Sequence, residues 1–210
     1  MKKTTLSFLL LLAFLVTPMT AGTLFTATDE KDNVTDLNVD VFLEDVAQGL
    51  RVTLTLNPSS DGNIGDITGL YLNYDGSIPA SGAISNVTSN DANADAGDIT
   101  YTVGGSMPPY SAFDMYFQIG GPGKNAAGLD VQMISFIVAS TPGLSAADFT
   151  GVGVRVQSVG APTSSRDGSL KLVSWVPSVP NENTEVPEPT AFVLFGSGLA
   201  CLALCKARRR

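Results

Sequence analysis

Histidine is absent from all 210 residues, and the only two cysteines, Cys201 and Cys205, sit near the C-terminus. Without imidazole there is no Ser-His-Asp triad, the usual general base is missing, and most zinc and copper sites are excluded with them. Without a cysteine before position 201, no disulfide staples the bulk of the chain and no thiol serves it as nucleophile or metal ligand. Basic residues are scarce as well. Of 12, two lie in the first 21 residues and four in the last five, which leaves Lys31, Arg51, Lys124, Arg155, Arg166 and Lys171. Against those six stand all 20 acidic residues, between positions 29 and 188, so the central region carries a net charge of −14. Such a field repels nucleic acid and anionic lipid and favours cations, basic partners or plain solubility.

Long apolar runs occur only at the two ends. Lys2 and Lys3, the apolar stretch Leu6 to Val16 and the small residues of Pro18-Met19-Thr20-Ala21-Gly22 follow the order of a secretory signal peptide over residues 1–21. Cleavage is expected after Ala21 or Gly22. At the other end, Thr190 to Cys205 holds no charge and is followed by Lys206, Arg208, Arg209 and Arg210. As a helix this run spans roughly 24 Å, short of a hydrocarbon core about 30 Å thick, but snorkelling cations extend its reach. The expectation is a single transmembrane helix over 190–205 with a basic cytoplasmic tail, which leaves the rest of the chain outside the inner membrane.

Between these ends the pattern is that of strands. Leu37, Val39, Val41 and Leu43 fall at period 2 with Asn38, Asp40 and Phe42 between them, and "LRVTLTLNP" (50–58) puts Leu50, Val52, Leu54 and Leu56 on one face. "ITGLYLNY" (67–74), "AFDMYFQI" (112–119), "VQMISFIV" (131–138), "VGVRVQSV" (152–159) and "LKLVSW" (170–175) read the same way. Asp75-Gly76, Gly120-Gly121-Pro122-Gly123 and Asp167-Gly168 supply turns, the last as a hairpin tip. Only "LSAADF" (144–149) suggests a helical turn. Seven to nine short strands predict an all-β, antiparallel β-sandwich over residues 22–176, jelly-roll or immunoglobulin-like. Prolines 177, 180, 187 and 189 make residues 177–189 an extended spacer.

Candidate chemistry is thin. In "NDANADAGD" (90–98), Asp91, Asn93 and Asp95 alternate as calcium ligands do and Asp98 adds a fourth, although Ala96 and Thr102 occupy the positions where an EF-hand needs Gly and Glu. Asp61, Asn63 and Asp66 of "DGNIGD" are a looser set of the same kind. "GGPGKN" (120–125) lacks the Ser or Thr of a phosphate loop and reads as a hairpin loop. Trp175 is expected in the core or at its rim. Glycoside hydrolysis needs only two carboxylates about 5–10 Å apart, but the acids fall at turns and strand ends, and no enzymatic activity is expected. Tyr71, Tyr74, Tyr101, Tyr110 and Tyr116 would be the platforms of a carbohydrate-binding module.

Val186-Pro187-Glu188-Pro189, the apolar run and the terminal arginines together resemble the PEP-CTERM sorting signal of Gram-negative bacteria. The resemblance implies an exosortase-type processing enzyme as partner. It also implies a destination at the cell surface or beyond, in organisms that make exopolysaccharide. It covers about the last 25 residues and brings no activity with it. "GLSAADFTGVGVRVQSVG" followed by "SSRDGSLKL" (143–172) also resembles a segment recurring in uncharacterised PEP-CTERM proteins. The chain is thus expected to be a non-catalytic surface, matrix or biofilm-associated protein, with the carbohydrate-binding module as the alternative.

Overall fold

The computed structural model describes residues 22–28, 36–110, 112–120, 129–140, 142–164 and 166–177. Ten strands occur among them: β1 (Gly22–Ala27), β2 (Asn38–Val46), β3 (Gly49–Asn57), β4 (Ile64–Tyr74) and β5 (Gly82–Ser89), then β6 (Ile99–Ser106), β7 (Ala112–Ile119), β8 (Met133–Ser140), β9 (Phe149–Gly160) and β10 (Gly168–Ser174). The only helical pieces among the described residues are three-residue 3-10 turns at Ala96–Asp98 and Ala146–Asp148, the second within the "LSAADF" stretch.

The strands form two five-stranded sheets, ordered β1-β2-β3-β8-β5 and β10-β9-β4-β7-β6, with every pair antiparallel. Period-2 alternation sets the faces. In β2, Val39, Val41 and Leu43 are fully buried while Phe42 between them is exposed; in β3, Leu50, Val52 and Leu54 are likewise buried. Gly49 turns the chain from β2 into β3 at φ +139°, and a side chain there would meet the Val138 carbonyl oxygen at 2.2 Å. Only glycine fits.

The buried rows of both sheets belong to one cluster, which includes Phe25, Val41, Leu54 and Phe136 of the first and Leu70, Leu72, Met115, Phe117 and Val154 of the second. Phe117 and Phe136 meet with ring centroids 5.6 Å apart. A smaller cluster lies on the other face of β4, where Tyr71 alternates with Leu70 and Leu72. It joins Tyr71, Met107, Phe113 and Val173, with Tyr110 and Tyr116 against them. Gly153 pairs with Tyr71, and a Cβ there would come within 2.7 Å of Met107 Cε and 2.8 Å of Phe113 Cζ. Trp175 stacks on Phe113 at 5.6 Å and covers Gly151.

Several sequence expectations need correction. The described residues are an all-β domain of two antiparallel sheets, and neither form of the expected sandwich describes it. An immunoglobulin constant-type domain divides its strands about four and three, and a jelly roll has about eight in all, whereas here each sheet has five strands. The expected transmembrane helix is also corrected. No helix among the described residues is long and apolar enough to cross a membrane. The stretch 190–205 on which it was placed lies outside those residues, and with about 24 Å of reach it was short for the task from the start. The inner-membrane-anchored location built on that helix is withdrawn with it.

Smaller differences have local causes. The Asp167-Gly168 hairpin tip is displaced: Gly168 already pairs with Val159 at an irregularity in the ladder. The turn closes earlier, where Ser164 N donates to Ala161 O. The expected loop at 120–125 lies outside the described residues beyond Gly120, as do residues 1–21, the spacer from 178 onward and the C-terminal segment.

Candidate functional site

The acidic stretch 90–98 connects β5 to β6, and its side chains serve the backbone. Asp91 Oδ1 accepts from Asn93 N at 2.9 Å and from Asn93 Nδ2 at 3.0 Å, while its Oδ2 accepts from Asp130 N at 2.8 Å. The hydrogen bond from the Asn93 amide, then that from Asp130, holds the Asp91 carboxyl below its ordinary range. Asp95 Oδ1 accepts from Gly97 N at 2.6 Å, and Asp98 Oδ2 accepts from Asp95 N at 2.9 Å, so the pair forms a capping box on the 3-10 turn. An Asx turn followed by a capping box needs the same alternation of short acidic residues that suggested calcium ligands. Among the described residues, no three acidic, cysteine or histidine side chains are grouped to hold a metal ion. Asp61, Asn63 and Asp66 do not act together either: Asn63 closes a local turn with Ser59, and Asp66 is buried elsewhere.

Asp66 belongs to a polar junction that sequence reasoning did not assemble. Residues 129–132, just before β8, cross the ends of both sheets as a strap. Gln132 O accepts from Leu56 N of β3 and Val131 O from Ile67 N of β4, both at 2.8 Å. Asn90 clamps the strap from the end of β5. Its Oδ1 accepts from Gln132 N and Met133 N at 2.8 and 2.7 Å, and its Nδ2 donates to Asp130 O at 2.8 Å. Arg166, from the turn between β9 and β10, places Nη2 2.8 Å from Asp130 Oδ1 and 3.3 Å from Asp66 Oδ1. The second contact is a charge contact only, because Asp66 Oδ1 is buried with no hydrogen-bond partner. Asp66 and Asp130 thus meet at one guanidinium nitrogen, where their carboxyls can hydrogen-bond each other when one of them is protonated.

A break in register between Ile64 and Asp66 where β4 meets β9 accompanies this arrangement, and Ser158 opposite adopts φ +51°. The Ser158 hydroxyl hydrogen-bonds the Asp66 carboxyl. Burial, then the hydrogen bond with Asp130, pushes Asp66 from 3.8 up to about 7, against the opposing pull of Ser158 and Arg166. Asp130 moves the other way, held below its ordinary range by the same hydrogen bond and then by Arg166. Of the two, Asp66 is therefore the carboxyl that keeps a proton to the higher pH. The Arg166 guanidinium, within 3.3 Å of an oxygen of each carboxyl, takes the place a sugar would need between them. No carboxylate lines the open pocket of about 310 Å³ bounded by Gly82, Ile84, Ile99 and Tyr101.

The tyrosines proposed as carbohydrate platforms are engaged in packing. Tyr71 is buried and stacks on Tyr116 at 4.5 Å, and burial pushes the Tyr116 hydroxyl up to about 12. The Tyr101 hydroxyl donates to Pro79 O. The Tyr74 hydroxyl accepts from Ser145 N. Tyr110 packs against the smaller cluster. None of the five is fully exposed.

Val186, Pro187, Glu188 and Pro189 and the basic residues Lys206, Arg208, Arg209 and Arg210 lie outside the described residues. They fall within residues 185–210, which match the model of the PEP-CTERM protein-sorting motif. The chain therefore carries a PEP-CTERM sorting signal, the mark of a protein recognised by an exosortase-type enzyme. No curated protein and no solved structure matches the chain.

Proposed function

We propose that the chain is an exported, non-catalytic cell-surface protein whose β domain is the cargo of its C-terminal sorting signal. The observation that carries this reading is the PEP-CTERM motif at residues 185–210. Residues 1–21 act as the export signal, and β1 begins at Gly22, so cleavage after Ala21 leaves the strand whole. The exported region, with its net charge of −14, suits a hydrated surface or exopolysaccharide layer and repels nucleic acid. Its polar side chains support a scaffold role: Asp91, Asp95 and Asp98 cap backbone, and Asp66 sits away from the open pocket.

Alanine at Pro187, Glu188 and Pro189 together tests the sorting assignment. The parent chain should change mass and reach the outer surface in cells that have the exosortase-type enzyme, and the triple variant should do neither. A variant processed and located like the parent would remove the motif's role.

A further inference from the structure

We propose that Asp66 and Asp130 form a proton-operated clasp: one shared proton holds the strap 129–132 across the ends of the two sheets, and its loss loosens that end. The strap touches β3, β4, the end of β5 and the β9–β10 turn through the bonds described above. Its carboxylate contact to β4 depends on a proton, because two ionised carboxylates cannot share a hydrogen bond and repel each other at that distance.

The groups facing Asp66 decide the sign. From the strap comes Asp130, from the β9–β10 turn Arg166, and from β9 the uncharged Ser158 hydroxyl. Asp91 acts on Asp130, by accepting from its backbone amide and by like-charge repulsion. On the outer side Gln132 Nε2 donates to Asp130 Oδ1 at 2.6 Å. When Asp66 ionises, its buried carboxylate and the exposed one of Asp130 share one guanidinium, and Asp66 Oδ1 already lacks a hydrogen-bond donor. Desolvation then opposes the charged form. Because Asp66 lies at about 7 in the folded chain against 3.8 as its ordinary value, the folded chain holds the extra proton between those limits. Stability from this junction is therefore present at acid pH, falls as pH rises through that window and levels off above it. Asp130, depressed, contributes in the opposite sense only at the acid end.

The test is denaturant unfolding of the full-length chain followed by Trp175 fluorescence from pH 5 to 8.5, together with carbon-13 titration of the Asp66 carboxyl. The unfolding constant should rise on the order of tenfold to a hundredfold over that range. Asp66→Asn, which keeps a donor toward Asp130, should abolish the rise. Asp130→Asn should move the Asp66 titration toward acid pH, and Arg166→Gln should move it further toward alkaline pH. Parallel pH profiles for the parent and Asp66→Asn would overturn the clasp. Should a variant fail to fold, the parent's carboxyl titration still decides: a midpoint near neutral supports the clasp, and one in the ordinary aspartate range overturns it.

Discussion

Asp91, Asp95 and Asp98 show how one residue pattern serves two chemistries. Their alternation is what a calcium loop needs, and also what an Asx turn and a capping box need. Hydrogen bonds from Asn93, Asp130, Gly97 and Asp95 engage Asp91 Oδ1, Asp91 Oδ2, Asp95 Oδ1 and Asp98 Oδ2. Added calcium is therefore expected to leave the melting midpoint of the parent unchanged, while Asp91→Ala lowers it equally with and without the ion. A calcium-dependent rise that vanishes in Asp91→Ala and Asp95→Ala would show them to be ligands. Asp36 and Asp91 are both held below the ordinary carboxylate range, Asp36 by hydrogen bonds from Ser60. Their contribution is present above that range and is lost as pH falls through their folded values. The Asp66 junction was not legible in the sequence. Its members are Asp66, Asp130, Ser158 and Arg166, and no local pattern links positions that far apart.

Strands were legible where one face is wholly apolar. β2, β3, β4, β7, β8, β9 and β10 all overlap runs of period-2 alternation. β5 and β6 were missed because they are edge strands of small and polar residues with little buried surface, "GAISNVTS" and "ITYTVGGS". β1 was missed because it directly follows residues 1–21, whose pattern reads as a signal peptide. Two glycines test the packing of the elements. Gly49→Ala should destabilise by more than about 2 kcal/mol, since it combines an unfavourable φ with a backbone clash at Val138. Gly153→Val should cost about 1–3 kcal/mol by pushing Met107 and Phe113 off β9. It should also shift the fluorescence of Trp175, the only tryptophan, which stacks on Phe113. Unchanged stability and emission would mean that the smaller cluster is not packed as described.

Across the whole molecule, the all-β class followed from the strand pattern, but the order of the sheets did not. β8 pairs with both β3 and β5, and β4 with both β7 and β9; such long-range pairing leaves no trace in local periodicity. The shared core should dominate stability, and Phe117→Ala, which removes the ring that meets Phe136, is expected to cost about 3–5 kcal/mol in denaturant unfolding. The chain's destination is written in a different part of the sequence from its fold. Residues 185–210 carry the sorting motif, and the β domain carries the mass to be delivered. The most direct measurement is the intact mass and surface fraction of the protein in cells with and without the exosortase-type enzyme. The expected result is a surface-exposed chain shortened at its C-terminal end only where the enzyme is present. The same mass and the same location in both would contradict the account.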